Sequence, residues 1–335
     1  MVVALAAHPR FLDHDAGRGH PERPARLDAV LRGASEAGLA EALVAIEPRV
    51  ATRDELQRVH PASFLDALER FCQSGGGRID ADTAVCKASW DAAALGAGAT
   101  LSAIEAMDAG LADAAFCAVR PPGHHATATR AMGFCLVNNV AVAAAHLAAR
   151  GERVVIVDYD AHHGNGTQDI FYGRSDVLYV SFHQAPFYPG TGALADTGTG
   201  DGIGCTINVP VPAETNGPSY LALLDEVVEP VVERFAPTWL LISAGFDGHR
   251  DDPLTDLGLT SADYALLTKR LISWVPKGRR LALLEGGYDL DALAHSTGAV
   301  LAVLAGADEH HPVERPSTGA VDRLLLQATS DQWTR

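Results

Sequence analysis

Short apolar runs recur along the chain at 2–7, 115–119, 153–157, 177–182, 206–209, 239–244 and 281–284. Their length and their bounding turn residues predict strands. Between most of them the apolar positions follow a helical period, over 88–109, 138–150, 217–235, 260–275 and 289–305. Another helix is predicted within "ERPARLDAVLRGASEAGL", which has proline near its start and glycine near its end. Apolar strands alternating with helices predict a parallel sheet covered on both faces, an α/β fold. The glycine-rich stretches 74–78 and 189–204 read as surface loops. No repeat or linker divides the pattern, so residues 1–335 read as one domain. Its core spans about 2–306, and a C-terminal tail, 307–335, either wraps the surface or frays.

In open parallel sheets, ligands collect beyond the C-terminal ends of the strands. Four predicted strand ends carry polar chemistry: "VRPPGHHA" (119–126), "DYDAHHGNG" (158–166), "SAGFDGHRDDP" (243–253) and "LEGGYDL" (284–290). Asp160 and His162 are two apart, so in an extended segment their side chains leave one side of the chain; Asp158 shares that parity. Asp247, at another strand end, is a candidate third ligand. Two carboxylates and an imidazole suit zinc, iron(II) or manganese. Any one of these residues alone reads by default as a cap or turn residue. Burying two carboxylates together without a cation costs several kcal/mol, and that favours a metal site. In the doublet His124-His125, adjacent imidazoles point in different directions and can take different roles. Tyr288 offers a phenol for a developing oxyanion.

Composition narrows the class. Hydrophobic residues make up 47% and charged residues 20%, enough for a substantial core and against global disorder. The net charge of −16 argues against nucleic-acid binding and fits a soluble protein open to cationic substrates. No apolar run approaches the roughly 20 residues of a membrane span. "MVVALAAHPRF" lacks a basic leader and reads as a first strand, not a signal peptide. The five cysteines are scattered and odd in number, which predicts free thiols in a cytoplasmic protein.

Taken together, "RPPGHHA…GFCLVNNVAVAA", "VDYDAHHGNGTQDIFY", "SFHQAPFYPGTG", "SAGFDGHRDDPL" and "LEGGYDL" resemble the metal-dependent histone deacetylase and acetylpolyamine amidohydrolase superfamily, over roughly residues 8–305. "GHPERPARL" and "HHGNG" are similar to its class II branch and bacterial amidohydrolase relatives. The resemblance implies an arginase-like three-layer α/β/α domain on a central, mainly parallel eight-stranded sheet. It implies zinc, with iron(II) as the other candidate, on Asp160, His162 and Asp247. By the same resemblance His125 is general base and then acid, His124 assists electrostatically, Asp158 holds His124, and Asn165 partners His125. Asparagine there should raise the pKa of His125 less than aspartate would. Tyr288 matches the residue that polarises the amide carbonyl. Phe134, Tyr188 and Gly133 match the walls of an acyl-lysine tunnel. A structural potassium site is implied at Asp158, Asp160, His162, Ser181 and Phe182. His163 is left with a structural role.

The implied reaction is hydrolysis of an acyl amide to a carboxylate and a free amine. Polyamine-selective relatives carry glutamate where this chain has Leu254, so the resemblance favours the acyl-lysine of a peptide or protein. A small acetylated amine is the alternative substrate, and a non-catalytic acyl-lysine reader the alternative class. Asp80 and Asp82 read as loop carboxylates, or as a grip on the substrate backbone. The sequence is compatible with a homo-oligomer.

Overall fold

Eight strands form the central sheet: β1 (Val3–Ala6), β2 (Leu43–Ile46), β3 (Ala114–Cys117), β4 (Val154–Asp158), β5 (Val177–Gln184), β6 (Thr206–Val211), β7 (Trp239–Ala244) and β8 (Arg280–Leu284). In the computed structural model, which describes residues 1–307 and 312–333, the order is β2-β1-β3-β8-β7-β4-β5-β6. Every pairing is parallel. β4, β5 and β7 are buried along their whole length, as strands covered on both faces must be.

Seven of these strands coincide with the predicted runs. The eighth, β2, has a half-exposed "LVAI" sequence at the sheet edge and is fixed only by its pairing with β1. The long helices match within one to three residues: Ala25–Glu36, Ser89–Asp108, Asn139–Ala148, and Leu290–Ala305. The helix expected over 217–235 is interrupted by a π-helical segment, Leu224–Val228. Pro230 follows it and has no N–H to continue the regular ladder. The predicted helix over 260–275 ends as α-helix at Leu271 and finishes in a 3₁₀ turn. The 74–78 loop closes into a two-residue hairpin, Gly77–Arg78 against Ala84–Val85.

Residues 312–333 of the tail wrap the surface. Glu314 accepts from the Ser261 amide and pairs with His249 and Arg250, and Ser317 bonds Asp263. A last helix, Arg323–Trp333, follows. Tail positions 308–311 and 334–335 lie outside the described residues. None of the helices is long and apolar enough to cross a membrane, among the described residues.

The Ala25–Glu36 and Leu290–Ala305 helices meet backbone to backbone. A Cβ on Gly33 would lie 2.0 Å from the Ala294 carbonyl oxygen, which no rotamer change relieves. Gly33→Ala is therefore expected to lower unfolding free energy by roughly 1–3 kcal/mol, read as a lower urea midpoint at unchanged slope; a shift within experimental error would contradict this close approach.

Candidate active site and metal centre

β3, β8, β7 and β4 are consecutive neighbours in the sheet, and each runs directly into one of the four polar loops. The register places Asp158 opposite Ser243, and Leu284 opposite Ala244, so the loops leave the sheet side by side. Parallel strands point all four the same way, so their side chains converge at one end of the sheet.

Asp160, His162 and Asp247 form one group whose ligand atoms all lie within 4.8 Å of one another. His162 Nδ1 is 2.9 Å from Asp247 Oδ2 and 3.3 Å from Asp160 Oδ1. Ligands of a tetrahedral zinc with bonds of about 2.0–2.1 Å stand roughly 3.3 Å apart, so this donor set fits such an ion. The remaining oxygens are held by backbone amides: Gly286 donates to Asp160 Oδ2 at 2.7 Å, and Ala161 to Asp247 Oδ1 at 2.8 Å. Glycine is required where the chain crosses this cluster. A Cβ on Gly245 would fall 2.0 Å from Asp160 Oδ2, and one on Gly286 2.3 Å from Asp247 Oδ2. Burial opposes a charge on His162, but the two carboxylates outweigh it and raise its pKa to about 10. Burial and the neighbouring Asp160 raise the pKa of Asp247.

The histidine doublet divides between two environments. His124 Nδ1 lies 2.9 Å from Asp158 Oδ2, and Tyr179 also donates to that carboxylate. Burial works against a charge on His124, but Asp158 and Asp160 prevail and raise its pKa well above the ordinary imidazole value. His125 Nδ1 is 2.9 Å from Asn165 Oδ1, an uncharged acceptor. Burial, followed by the positive neighbours His124 and His162, pushes its pKa well below the ordinary value. With Nδ1–H donated to Asn165, Nε2 keeps its lone pair; this tautomer follows from the partner. The Arg120–Pro121 bond is cis, and Glu285 accepts from the Gly123 and His124 amides at 2.7 and 3.1 Å.

A recess of about 240 Å³ leads to this floor, lined by Asp82, His125, Gly133, Phe134, His162, Phe187, Tyr188, Leu254 and Tyr288. Its walls are mostly apolar. Tyr188 stands edge-on to His125 at 5.2 Å, and Phe134 edge-on to Tyr288 at 5.9 Å. A Cβ on Gly133 would strike the His125 ring at 2.4 Å, and Phe134 itself adopts a left-handed φ of 67°. The Tyr288 hydroxyl makes no hydrogen bond among the described residues, while its backbone N–H donates to Asp252 at 2.7 Å. Asp82 accepts from Thr83 and lies in the lining, whereas Asp80 caps the amides of Asp82 and Thr83. A larger recess of about 860 Å³, lined by Met1, Leu266 and Val313 among others, lies away from these loops.

His124, Asp158, Ser181 and Phe182 are buried behind the recess and do not line it. His163 turns away towards Thr191 and Gln168. Four contributors were not read from the sequence. Phe187 packs on His162 at 5.3 Å, and Arg26 lies over the Tyr288 ring at 4.9 Å. Glu22 joins Arg26 to Arg120 in a buried ion network, and Glu285 braces the doublet. Glu285 and Phe187 sit inside the motifs already quoted, so position within a motif was the available signal; Arg26 and Glu22 offered none beyond "ERPAR".

A family model described as the histone deacetylase domain matches residues 20–304. The chain is 40% identical over 315 residues to a protein of Archaeoglobus fulgidus named probable deacetylase, covering 92% of this chain and 88% of that one. It is 36% identical over 300 residues to the histone deacetylase-like amidohydrolase of Pseudomonas aeruginosa, covering 87% and 78%. The crystal structure of the HDA15 HD domain superposes with a TM-score of 0.90 at 38% identity, covering 99% of this chain and 93% of that one.

His162 Nδ1 faces both carboxylates, so an ion held by Asp160, His162 and Asp247 would compete with a proton for that nitrogen. Because its pKa is raised to about 10, each divalent ion bound below that pH displaces at least about one proton. Apparent affinity for zinc should therefore rise about tenfold per pH unit between roughly pH 7 and 9, measured by chelator competition. Affinity independent of pH would contradict the assignment.

Proposed function

The chain belongs to the histone deacetylase domain family, a family of metal-dependent hydrolases, and on that premise we propose that it removes acetyl or other acyl groups from the lysine ε-amine of peptides or proteins. The observation that carries the reading is the narrow, apolar-walled recess ending on His125, His162 and Tyr288. An alkyl chain suits such walls, and an amide at the floor meets an imidazole and a phenol. Residues 2–306 are read as one catalytic core, with 307–335 as its tail.

Asp160, His162 and Asp247 hold the divalent cation, zinc or iron(II), which when bound supplies Lewis acidity for the carbonyl and lowers the pKa of the attacking water. His125 lines the recess and His124 does not, so His125 takes the proton from that water and returns it to the departing amine. Asn165 fixes the tautomer that leaves Nε2 free to do so. His124, kept charged by Asp158, adds a fixed positive charge behind the reacting centre. Tyr288 donates its free hydroxyl to the oxyanion that develops on the carbonyl. Gly133, Phe134, Tyr188 and Leu254 guide the acyl-lysine stem. By family likeness, the buried turn of Asp158, Asp160 and His162 with Ser181 and Phe182 is assigned to potassium, whose charge would offset the carboxylates. The expected partners are acyl-lysine peptides or proteins in the cytoplasm, with neither nucleic acid nor membrane engaged directly.

A small acetylated amine remains the second substrate class, because Asp82 places one carboxylate in the lining. Leu254, in the position where the resemblance puts glutamate in polyamine-selective relatives, argues against it. Acetyl-lysine peptides should therefore have the higher kcat/KM against acetylspermidine or acetylputrescine, and the reverse order would overturn the preference. Tyr288→Phe should lower kcat about 10²–10³-fold and His125→Ala about 10²–10⁴-fold. Undiminished hydrolysis by either variant would refute the role given to that residue.

A further inference from the structure

We propose that Arg18 and Arg23 form an anion-binding subsite at the mouth of the recess, selecting acyl-lysine substrates that carry a carboxylate close to the modified lysine. The inference rests on the acyl-lysine reading above. A second recess, of about 390 Å³, is lined by Arg18, His20, Pro21, Arg23, Pro253 and Tyr288. Tyr288 lines the catalytic recess as well, so the two spaces share the Tyr288 side chain as a wall.

The loop that presents the arginines is held in place. His20 Nε2 lies 2.9 Å from the Asp82 carbonyl oxygen, Nδ1 accepts from the Glu22 amide at 3.1 Å, and the ring stands edge-on to Phe134 at 4.6 Å. Glu22, the one carboxylate between residues 17 and 23, turns inward to Arg120 and Arg26 and is fully buried. Asp15 accepts from the Gly17 amide at 2.8 Å. No hydrogen bond or ion pair holds either guanidinium among the described residues, although both are exposed. Arg130, by contrast, has Asp80 at 4.0 Å.

Two uncompensated guanidiniums beside the reacting tyrosine, in a chain of net charge −16, are a local reversal of the protein's field. Guanidinium forks match carboxylates in a bidentate geometry. The matching carboxylate has two sources, an Asp or Glu side chain flanking the acyl-lysine or the free C-terminus of a chain ending in it. Because both arginines are exposed, the expected gain is modest, about three- to tenfold in kcat/KM.

The test compares acetyl-lysine peptides differing only by Glu or Gln at one flanking position, and peptides ending at acetyl-lysine as the free acid or the amide. The metal-loaded protein should favour the anionic member of at least one pair about three- to tenfold at low salt, with the ratio falling towards one near 0.5 M salt. The pair that responds identifies the source. Arg18→Gln with Arg23→Gln should bring the ratio to about one, and Arg18→Lys with Arg23→Lys should retain most of it. Equal turnover of charged and neutral peptides by the native protein, or a ratio unchanged in the glutamine variant, overturns the proposal. If no peptide, neutral ones included, is turned over while acetylspermidine is, the acyl-lysine reading fails instead. Anisotropy of labelled peptides then decides on the arginines, and equal binding of the Glu and Gln peptides overturns the subsite.

Discussion

Four carboxylates, Asp158, Asp160, Asp247 and Glu285, are buried within one small volume at the ends of three adjacent strands. Removing so many anions from water is the constraint to which the surrounding structure answers. Each receives a different compensation. Asp158 takes His124 and Tyr179. Asp160 and Asp247 converge on His162, with backbone amides on their outer oxygens. Glu285 takes two amides of the Gly123–His124 turn and the Ser243 hydroxyl, yet burial still raises its pKa to about 7. A divalent ion in the candidate Asp160–His162–Asp247 group would replace a proton with two charges and complete the compensation.

The fold supplies what those contacts require. Amide donors reach the carboxylates only because the chain passes them without side chains, at Gly245 and Gly286, where a Cβ would overlap carboxylate atoms. The loops share one end of the sheet because β3, β8, β7 and β4 are parallel and adjacent. The tyrosine end of the site is braced from elsewhere: Arg26 donates to the Gly287 and Glu285 carbonyls at 2.6 and 2.5 Å while covering the Tyr288 ring. Glu22 pairs with that guanidinium and with Arg120, so the N-terminal loop, the His124 turn and the Tyr288 turn are joined through one buried ion network.

Much of the chemistry was legible because it sits in contiguous motifs. Asp158, Asp160 and His162 announce themselves by spacing, and apolar strands running into polar loops mark the end of the sheet where ligands gather. Lateral strand order was not legible. β3 and β8 are separated by more than 150 residues in sequence, and only the pairing shows that the His125 and Tyr288 loops are neighbours. Arg26 and Glu22 were missed for the same reason, since nothing in "ERPAR" tells which turn of a distant loop a helix start will cover. β2 escaped notice because an edge strand buries little, so its pattern is weak.

The two adjacent histidines show how environment, not identity, separates function at such a site. Both are buried and both would lose charge by burial alone. His124 faces Asp158, with Asp160 Oδ1 3.8 Å from its Nε2, and holds a proton tightly. His125 faces Asn165, whose amide orients the ring without adding charge, and it gives the proton up. An aspartate at 165 would be a further, half-buried carboxylate beside the four already in place, and it would pull the pKa of His125 up towards that of His124. With asparagine there, burial and then the charge on His124 keep His125 neutral, so the imidazole open to the recess is the one with a free lone pair. The same positive neighbour that pairs with Asp158 thus helps to fix which histidine can accept a proton.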